Sequence, residues 1–487
     1  MNYIAILYFL GYILRIEALA LLPALCIALS CGENRAAEGL VLTFILAGCL
    51  SMLAATLKKY NRTITHREGF VIVALSWLVM SLVGAIPLTY CGAIPSYLDA
   101  LFETVSGFTT TGSSILTDVE ALPSSLLYWR SFTHWVGGMG ILVFILAIMP
   151  MARGKGDSLH VLRAESPGPT VGKLVPTMRR TARLLYTIYI VLTLAEMALL
   201  LLGGMPLFDA VVNSLATAGT GGFAIKNASI AAYDSYYLQG VITVFMLLFG
   251  VNFSLYYLIL LGKVRQVLKS EELRFYAGLV AVSTVVIALN ILPQSKGIFD
   301  AFHHSAFQVA AVITTTGFAT QDFNLWPQLS RWILVLLMFC GGCAGSTAGG
   351  LKVSRILLLW KSAKRAAQRM LHPNSVKIIT MDDKSVEEET IQGTQTYLVV
   401  YCLIGIISLL LLSLDNFSFE TTLTAVITTL NNIGPGLDMI GPTGNFSAFS
   451  PLSKVVLIFN MLTGRLEIFP VLLLFAPSMW RRPRHKR

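Results

Sequence analysis

The feature that most restricts this chain is a series of apolar runs, each long enough to cross a bilayer, recurring along its length. The stretch 394–414 carries no charged residue, and about 20 apolar residues suffice for one helical crossing. Apolar side chains make up 55% of the chain and charged ones only 13%. That is too little charge to cover a water-soluble protein of this size. The sequence therefore reads as an all-α integral membrane protein. No cleavable leader is recognisable before the first run, which is expected to remain a span.

Most of the 36 lysines and arginines fall in five segments: 58–67, 152–183, 262–274, 352–392 and 481–487. The connections between them hold almost none. Basic loops stay cytoplasmic, so the net charge of +10 reports topology rather than a nucleic-acid surface. The acidic run Asp382–Glu389 reads as a solvated connector. Seven cysteines lie in or beside apolar segments and form no disulfide framework. Cys340 and Cys343 have CxxC spacing, but no second pair or histidine is near, so they read as small membrane residues.

Residues 1–60 form a two-helix hairpin joined by a short polar link, Cys31–Glu38. One plan then repeats four times, over 68–152, 178–263, 271–361 and 392–478, with a connector at 362–391 and a tail at 479–487. Each unit holds a long apolar span, a short semi-apolar segment, a small cluster, a polar connection and a second long span. The first spans are about 70–92, 181–203, 273–292 and 394–414. The second are about 126–151, 236–261, 329–360 and 450–477. Every basic segment falls between units, so all four clusters lie on the outer side. Ten transmembrane helices return both termini to the cytoplasm.

The short segments open with an acid after an apolar residue: Asp99, Asp209, Asp300 and Glu420. Each is too short to span, the pattern of a half-helix that dips in and returns as extended chain. Such backbone survives at membrane depth only when buried in protein or lining water. The acid is expected to cap the half-helix and suit its positive end. Rings of carbonyl oxygens from four loops can replace a cation's hydration shell, and glycine permits the bend at φ > 0. The filter is therefore expected at Thr110, Thr111 and Gly112; Thr217, Ala218 and Gly219; Thr315, Thr316 and Gly317; and Asn432, Ile433 and Gly434. Ordinary turns between spans are the alternative, which four clusters in one phase weigh against.

Further stretches carry a family resemblance: Trp129–Gly140, Gly250–Tyr256, Gly341–Gly350 and Gly464–Pro470. With the four clusters, the chain resembles the Trk/Ktr/HKT superfamily of potassium transporters over essentially its whole length, most closely the bacterial Trk branch. The resemblance implies four membrane–pore–membrane units with re-entrant loops in pseudo-four-fold symmetry, in the cell inner membrane. It implies potassium and rubidium selected over sodium, since a serine at the first filter glycine goes with sodium in this family and this chain has Gly112. It also implies a homodimer and a cytoplasmic TrkA-type regulatory subunit that itself binds NAD, ATP or ADP. No organic cofactor is expected here: Gly345–Lys352 lacks the Gly-Lys-[Ser/Thr] ending of a phosphate loop. No nucleophile–base set or HExxH spacing suggests an enzyme.

Gly341, Gly342, Gly345, Ser346, Thr347, Gly349 and Gly350 crowd one span. Each glycine weakens a helix by about 1 kcal/mol relative to alanine. The stretch is either an unwound loop that gates the pore or a close contact between helices through small residues; the resemblance implies the gate. Arg465 lies deep in the last span, where charge is costly. It is either a cationic barrier under the filter or a partner of backbone carbonyls. Glu196 and Asn252 read as polar contacts between helices, and His303 and His304 receive no metal or proton role. Asp99 and Glu103 are expected to enrich cations at the outer mouth, although capping also explains Asp99. Four repeats of one orientation favour a gated conduit; a symporter coupled to H+ or Na+ is the alternative.

Overall fold

The computed structural model describes residues 1–57, 66–140, 178–374 and 377–480. The end of the first repeat beyond 140, the basic segments 58–65 and 152–177, and the tail 481–487 lie outside the described residues.

The chain opens with helices Tyr3–Cys31 and Asn34–Thr56 packed against each other. Asn2 caps the first through Ala5 N (3.2 Å), and Gly32 closes it in the left-handed region at φ 70°. Gly11 lets the two backbones approach, because a side chain there would collide with Ala54.

Four long apolar helices follow: His66–Gly84 with its continuation Ile86–Tyr90, Met178–Leu202, Glu271–Ile291 and Glu388–Leu412. Their outer faces leave Leu202, Val282, Leu289, Leu403 and Leu410 exposed, as a lipid-facing surface requires. Among the described residues, six helices are long and apolar enough to cross a membrane, or seven if one bent pair counts as a span.

The second spans differ from expectation, because none of them runs straight through. The first, Ser124–Gly138, ends in a turn at Met139. In the second, Tyr236–Phe249 bends by 92° into Phe253–Leu260. The third, Gln328–Cys340, gives way to an unwound stretch at 341–352 before helix Val353–Leu371. The fourth, Pro451–Arg465, breaks at Glu467 and Ile468, both at positive φ, and resumes as Phe469–Leu474. Local chemistry accounts for two of these breaks. Asn252 caps the restarted helix by accepting from Ser254 N (2.9 Å), a role sequence reading missed. Pro470 sits in the first turn of the other restarted helix, where a missing N–H costs nothing.

The acidic connector is exposed to solvent, and part of it forms a hairpin. Thr380–Met381 and Lys384–Ser385 pair antiparallel, with Thr380 opposite Ser385, so among the described residues this hairpin is the one departure from helix in the regular secondary structure. Its turn places Asp382 and Asp383 at φ 50° and 62°, a conformation that aspartate tolerates better than most residues.

Candidate ion pathway

Between the two long elements of each unit lies a short helix: Tyr97–Phe108, Leu207–Ala218, Ile298–Ile313 and Phe419–Asn431. Each carries its acid in the first turn, where it suits the positive helix end. The acids are not the caps, however. Ser96 and Ser418 cap two of the helices by accepting from Asp99 N and Thr421 N (3.4 and 3.1 Å). The acids instead tie the helices to their surroundings. Asp99 pairs with Lys454 (2.7 Å), Asp209 accepts from Tyr233 OH (2.7 Å), Asp300 accepts from Tyr236 OH (3.1 Å) and Glu420 meets Arg331 (3.3 Å).

The four helices end alike. Thr111 N donates to Ser106 O, Gly221 N to Ala216 O, Thr316 N to Ala311 O and Ile433 N to Thr428 O, all at 2.8–3.0 Å. This is the six-to-one bond of a Schellman ending, which needs a left-handed residue just before the donor. Thr110, Thr220, Thr315 and Asn432 supply it, at φ 54–55°. Two residues on, Gly112, Gly222, Gly317 and Gly434 also have positive φ. The common register therefore corrects the second loop. Thr217 and Ala218 lie in the last turn of the helix, and Gly219 is its right-handed cap at φ −69°. The residues matching the other loops are Thr220, Gly221 and Gly222. Gly219 is needed for another reason: a side chain there would collide with the backbone carbonyl of His134.

Contacts between loops support the same register. A Cβ on Gly112 would lie under 3.0 Å from Gly221 O, on Gly222 from Thr316 O, on Gly317 from Ile433 O, and on Gly434 from Thr111 O. Each glycine thus abuts the carbonyl of the residue before the next loop's glycine, and the series closes on itself. Side chains join the loops as well. Asn432 donates to Thr111 Oγ1 (2.8 Å) and Ser113 to Gly434 O (3.3 Å).

Directly beneath this ring lie the breaks in the second spans. Gly349 N donates to Thr315 Oγ1 (2.7 Å), so the unwound 341–352 stretch touches the third loop from below. Thr347 Oγ1 donates to Phe249 O (3.1 Å) and Cys343 N to Gly250 O (2.9 Å), which ties it to the bent second span. The Arg465 guanidinium donates to Thr347 O (2.8 Å), Gly137 O (2.5 Å) and Gly138 O (2.7 Å). It thereby joins the fourth unit to the unwound stretch and to the first. This geometry matches the second sequence reading of Arg465, a partner of backbone carbonyls.

A family profile described as TrkH, cation transport protein, matches residues 35–482. The chain belongs to the TrkH family. It is 38% identical to the Trk system potassium uptake protein TrkH of Escherichia coli K12 over 447 residues, covering 90% of this chain and 91% of that one. It is 33% identical to the Escherichia coli K12 potassium uptake protein TrkG, covering 97% of each. The crystal structure of the potassium transporter TrkH from Vibrio parahaemolyticus superposes with a TM-score of 0.87 at 32% identity, over 99% of this chain and 100% of that one. These relatives are transporters, and no catalytic family is indicated.

Within this TrkH-family fold, several residues that sequence reading left without a role hold the ring in place. His134 Nδ1 meets Gly107 O (2.7 Å), and its Nε2 accepts from Phe223 N (3.3 Å). A neutral ring protonated on Nδ1 satisfies both bonds. Glu103 does not face the outer mouth: it is buried and pairs with Arg130 (2.7 Å), while accepting from Ile115 N (2.9 Å). The Arg130 guanidinium also lies 4.1 Å from the centre of the Phe223 ring. One charge of each sign in otherwise apolar segments was the available signal for this pair. His303 meets Gln239 Oε1 (2.8 Å) and His304 meets Thr320 Oγ1 (3.0 Å), while no metal-binding group occurs among the described residues. Glu467 pairs with Arg355 rather than with Arg465.

Proposed function

We propose that this chain is a potassium uptake protein of the cell inner membrane, conducting K+ and Rb+ in preference to Na+ through the ring formed by its four loops. The observation that carries this reading is the closed series of glycine-to-carbonyl contacts, all in one register. Backbone oxygens of residues 111, 221, 316 and 433 then stand in for the water around a dehydrated ion. The negative ends of the four short helices point toward the same place and favour a cation there. Gly112 in the first loop fits potassium rather than sodium.

In this reading ten spans carry four membrane–pore–membrane repeats about a pseudo-four-fold axis, with both termini cytoplasmic. The 341–350 loop and Arg465 form the gate, the cationic guanidinium raising the energy of an ion below the ring. The protein works as a homodimer under a TrkA-type cytoplasmic subunit that binds the regulatory nucleotides. The family assignment and the potassium uptake proteins among its relatives support the choice of ion.

A carrier coupled to H+ or Na+ is the competing mechanism. One observation favours it: Glu17 is buried in the first helix, and neither carboxyl oxygen has a hydrogen-bond partner among the described residues. Reconstitution of the purified chain in liposomes separates the two readings. A conduit passes Rb+ down its own gradient alone, and the Glu17→Gln variant behaves like the parent. Uphill Rb+ movement driven by an imposed proton or sodium gradient overturns the conduit.

A further inference from the structure

Glu272 is buried at the start of helix Glu271–Ile291, and its carboxylate points at the unwound stretch beneath the ring. It accepts from Ala344 N at 2.7 Å. Ala344 lies near the start of that stretch, which runs from the end of helix Gln328–Cys340 to helix Val353–Leu371. The carboxylate therefore anchors the unwound segment near its start. A buried carboxylate needs such donors, and N–H groups given to a charge form stronger bonds than neutral pairs do.

The residue beside it faces elsewhere. Glu271 N donates to Asp382 Oδ1 at 2.7 Å, and the Glu271 carboxylate pairs with Lys361. Lys361 also donates to Thr380 O at 2.6 Å. Asp382 and Thr380 belong to the exposed cytoplasmic hairpin, which packs on helix Val353–Leu371 through Ile379, Met381 and Leu358. Two consecutive glutamates thus join a cytoplasmic surface element to the segment under the ring. The Asp382 bond holds the first residue of a helix whose second residue holds the loop, so displacement of the hairpin moves both.

We propose that Glu272 is a positioning residue that latches the 341–352 segment shut, with the Asp382 hairpin as the cytoplasmic end of the latch. The inference rests on the reading of that segment as the gate. Neither glutamate touches the permeating ion in this scheme. The latch acts only through the position of the loop, and so leaves ion selection to the ring.

The test is Rb+ uptake by the purified chain in liposomes, without any partner and normalised to incorporated protein. Glu272→Ala removes a charge-assisted anchor and raises uptake about tenfold. Glu272→Gln keeps one acceptor oxygen and gives a smaller rise. Asp382→Ala raises uptake less than Glu272→Ala, and the double variant falls short of the product of the two effects. Asp382→Asn, which keeps the acceptor and tolerates the left-handed turn, stays at the parent rate. The preference for Rb+ over Na+ is unchanged throughout. Parent-like uptake by Glu272→Ala, while Arg465→Ala raises it, overturns the latch and leaves the gate standing. Parent-like uptake by both overturns the gate and the latch together. Independent effects of the Glu272 and Asp382 variants, or a rise accompanied by lost ion preference, also overturn the latch.

Discussion

The ring of loops and the layer just below it are built on opposite terms. In the ring, four segments of different sequence adopt one backbone: the same helix ending, the same left-handed residue, the same glycine against the next loop's carbonyl. In the layer below, the second spans of the last three units break in three different ways among the described residues. If the ring is the filter proposed above, an ion that sheds its water there needs equivalent oxygens on every side, which calls for backbones in agreement. Nothing below the ring makes that demand. There one segment can be long and unwound, and the others can be shaped to hold it.

The largest expected effect tests the agreement itself. Gly222→Ala puts a methyl group onto Thr316 O at a positive φ, and Rb+ uptake falls to background while the protein still reaches the membrane. Uptake near the parent rate returns the second loop to the Gly219 register. Next comes the support behind the ring. Removing one partner of a buried pair costs about 3–5 kcal/mol, so Arg130→Ala lowers the melting temperature in detergent sharply; a shift of a degree or less makes Glu103–Arg130 dispensable. In the layer below, Arg465→Ala frees three carbonyls of a charged donor and raises uptake roughly tenfold; unchanged or lower uptake removes the barrier role.

The smallest effect lies in the loop after the fourth short helix. Hydroxyls of Ser418 and Thr421 donate to Asp438 and hold its carboxyl below the ordinary range. A depressed folded-state value stabilises above the unfolded value, near 3.8, and this is lost as pH falls through the folded one. At this exposed site Asp438→Asn costs about 0.5 kcal/mol at pH 7, and the difference from the parent shrinks toward pH 3 in thermal melts. A difference that stays constant with pH contradicts the charged contact.

Much of the fold was legible because membrane burial writes itself into composition. Helix Glu388–Leu412 closely follows an apolar run, and the short helices follow segments too short to span. The supports were less legible. His134 lies on a second span of the first unit, and its partners are the Gly107 carbonyl of one short helix and the Phe223 amide of another unit's loop. No periodicity connects those positions. Asp99 and Glu103 misled in the same way: their carboxylates look free for cations until Lys454 and Arg130 arrive from distant segments.

What the sequence determined by itself is a chain of long apolar helices, four short helices with an acid in the first turn, and small-residue clusters after each. Those follow from chain length, hydropathy and the local cost of glycine. What only the tertiary structure decided is which residues of the second cluster join the ring. Thr217-Ala-Gly219 and Thr220-Gly-Gly222 offer the same motif three residues apart, and local sequence does not rank them. The choice falls to neighbours: His134 fills the space beside Gly219, while the Thr316 carbonyl lies where a side chain on Gly222 would be. Close packing between distant segments selects the register, because two backbones can meet there only if the residue between them has no Cβ.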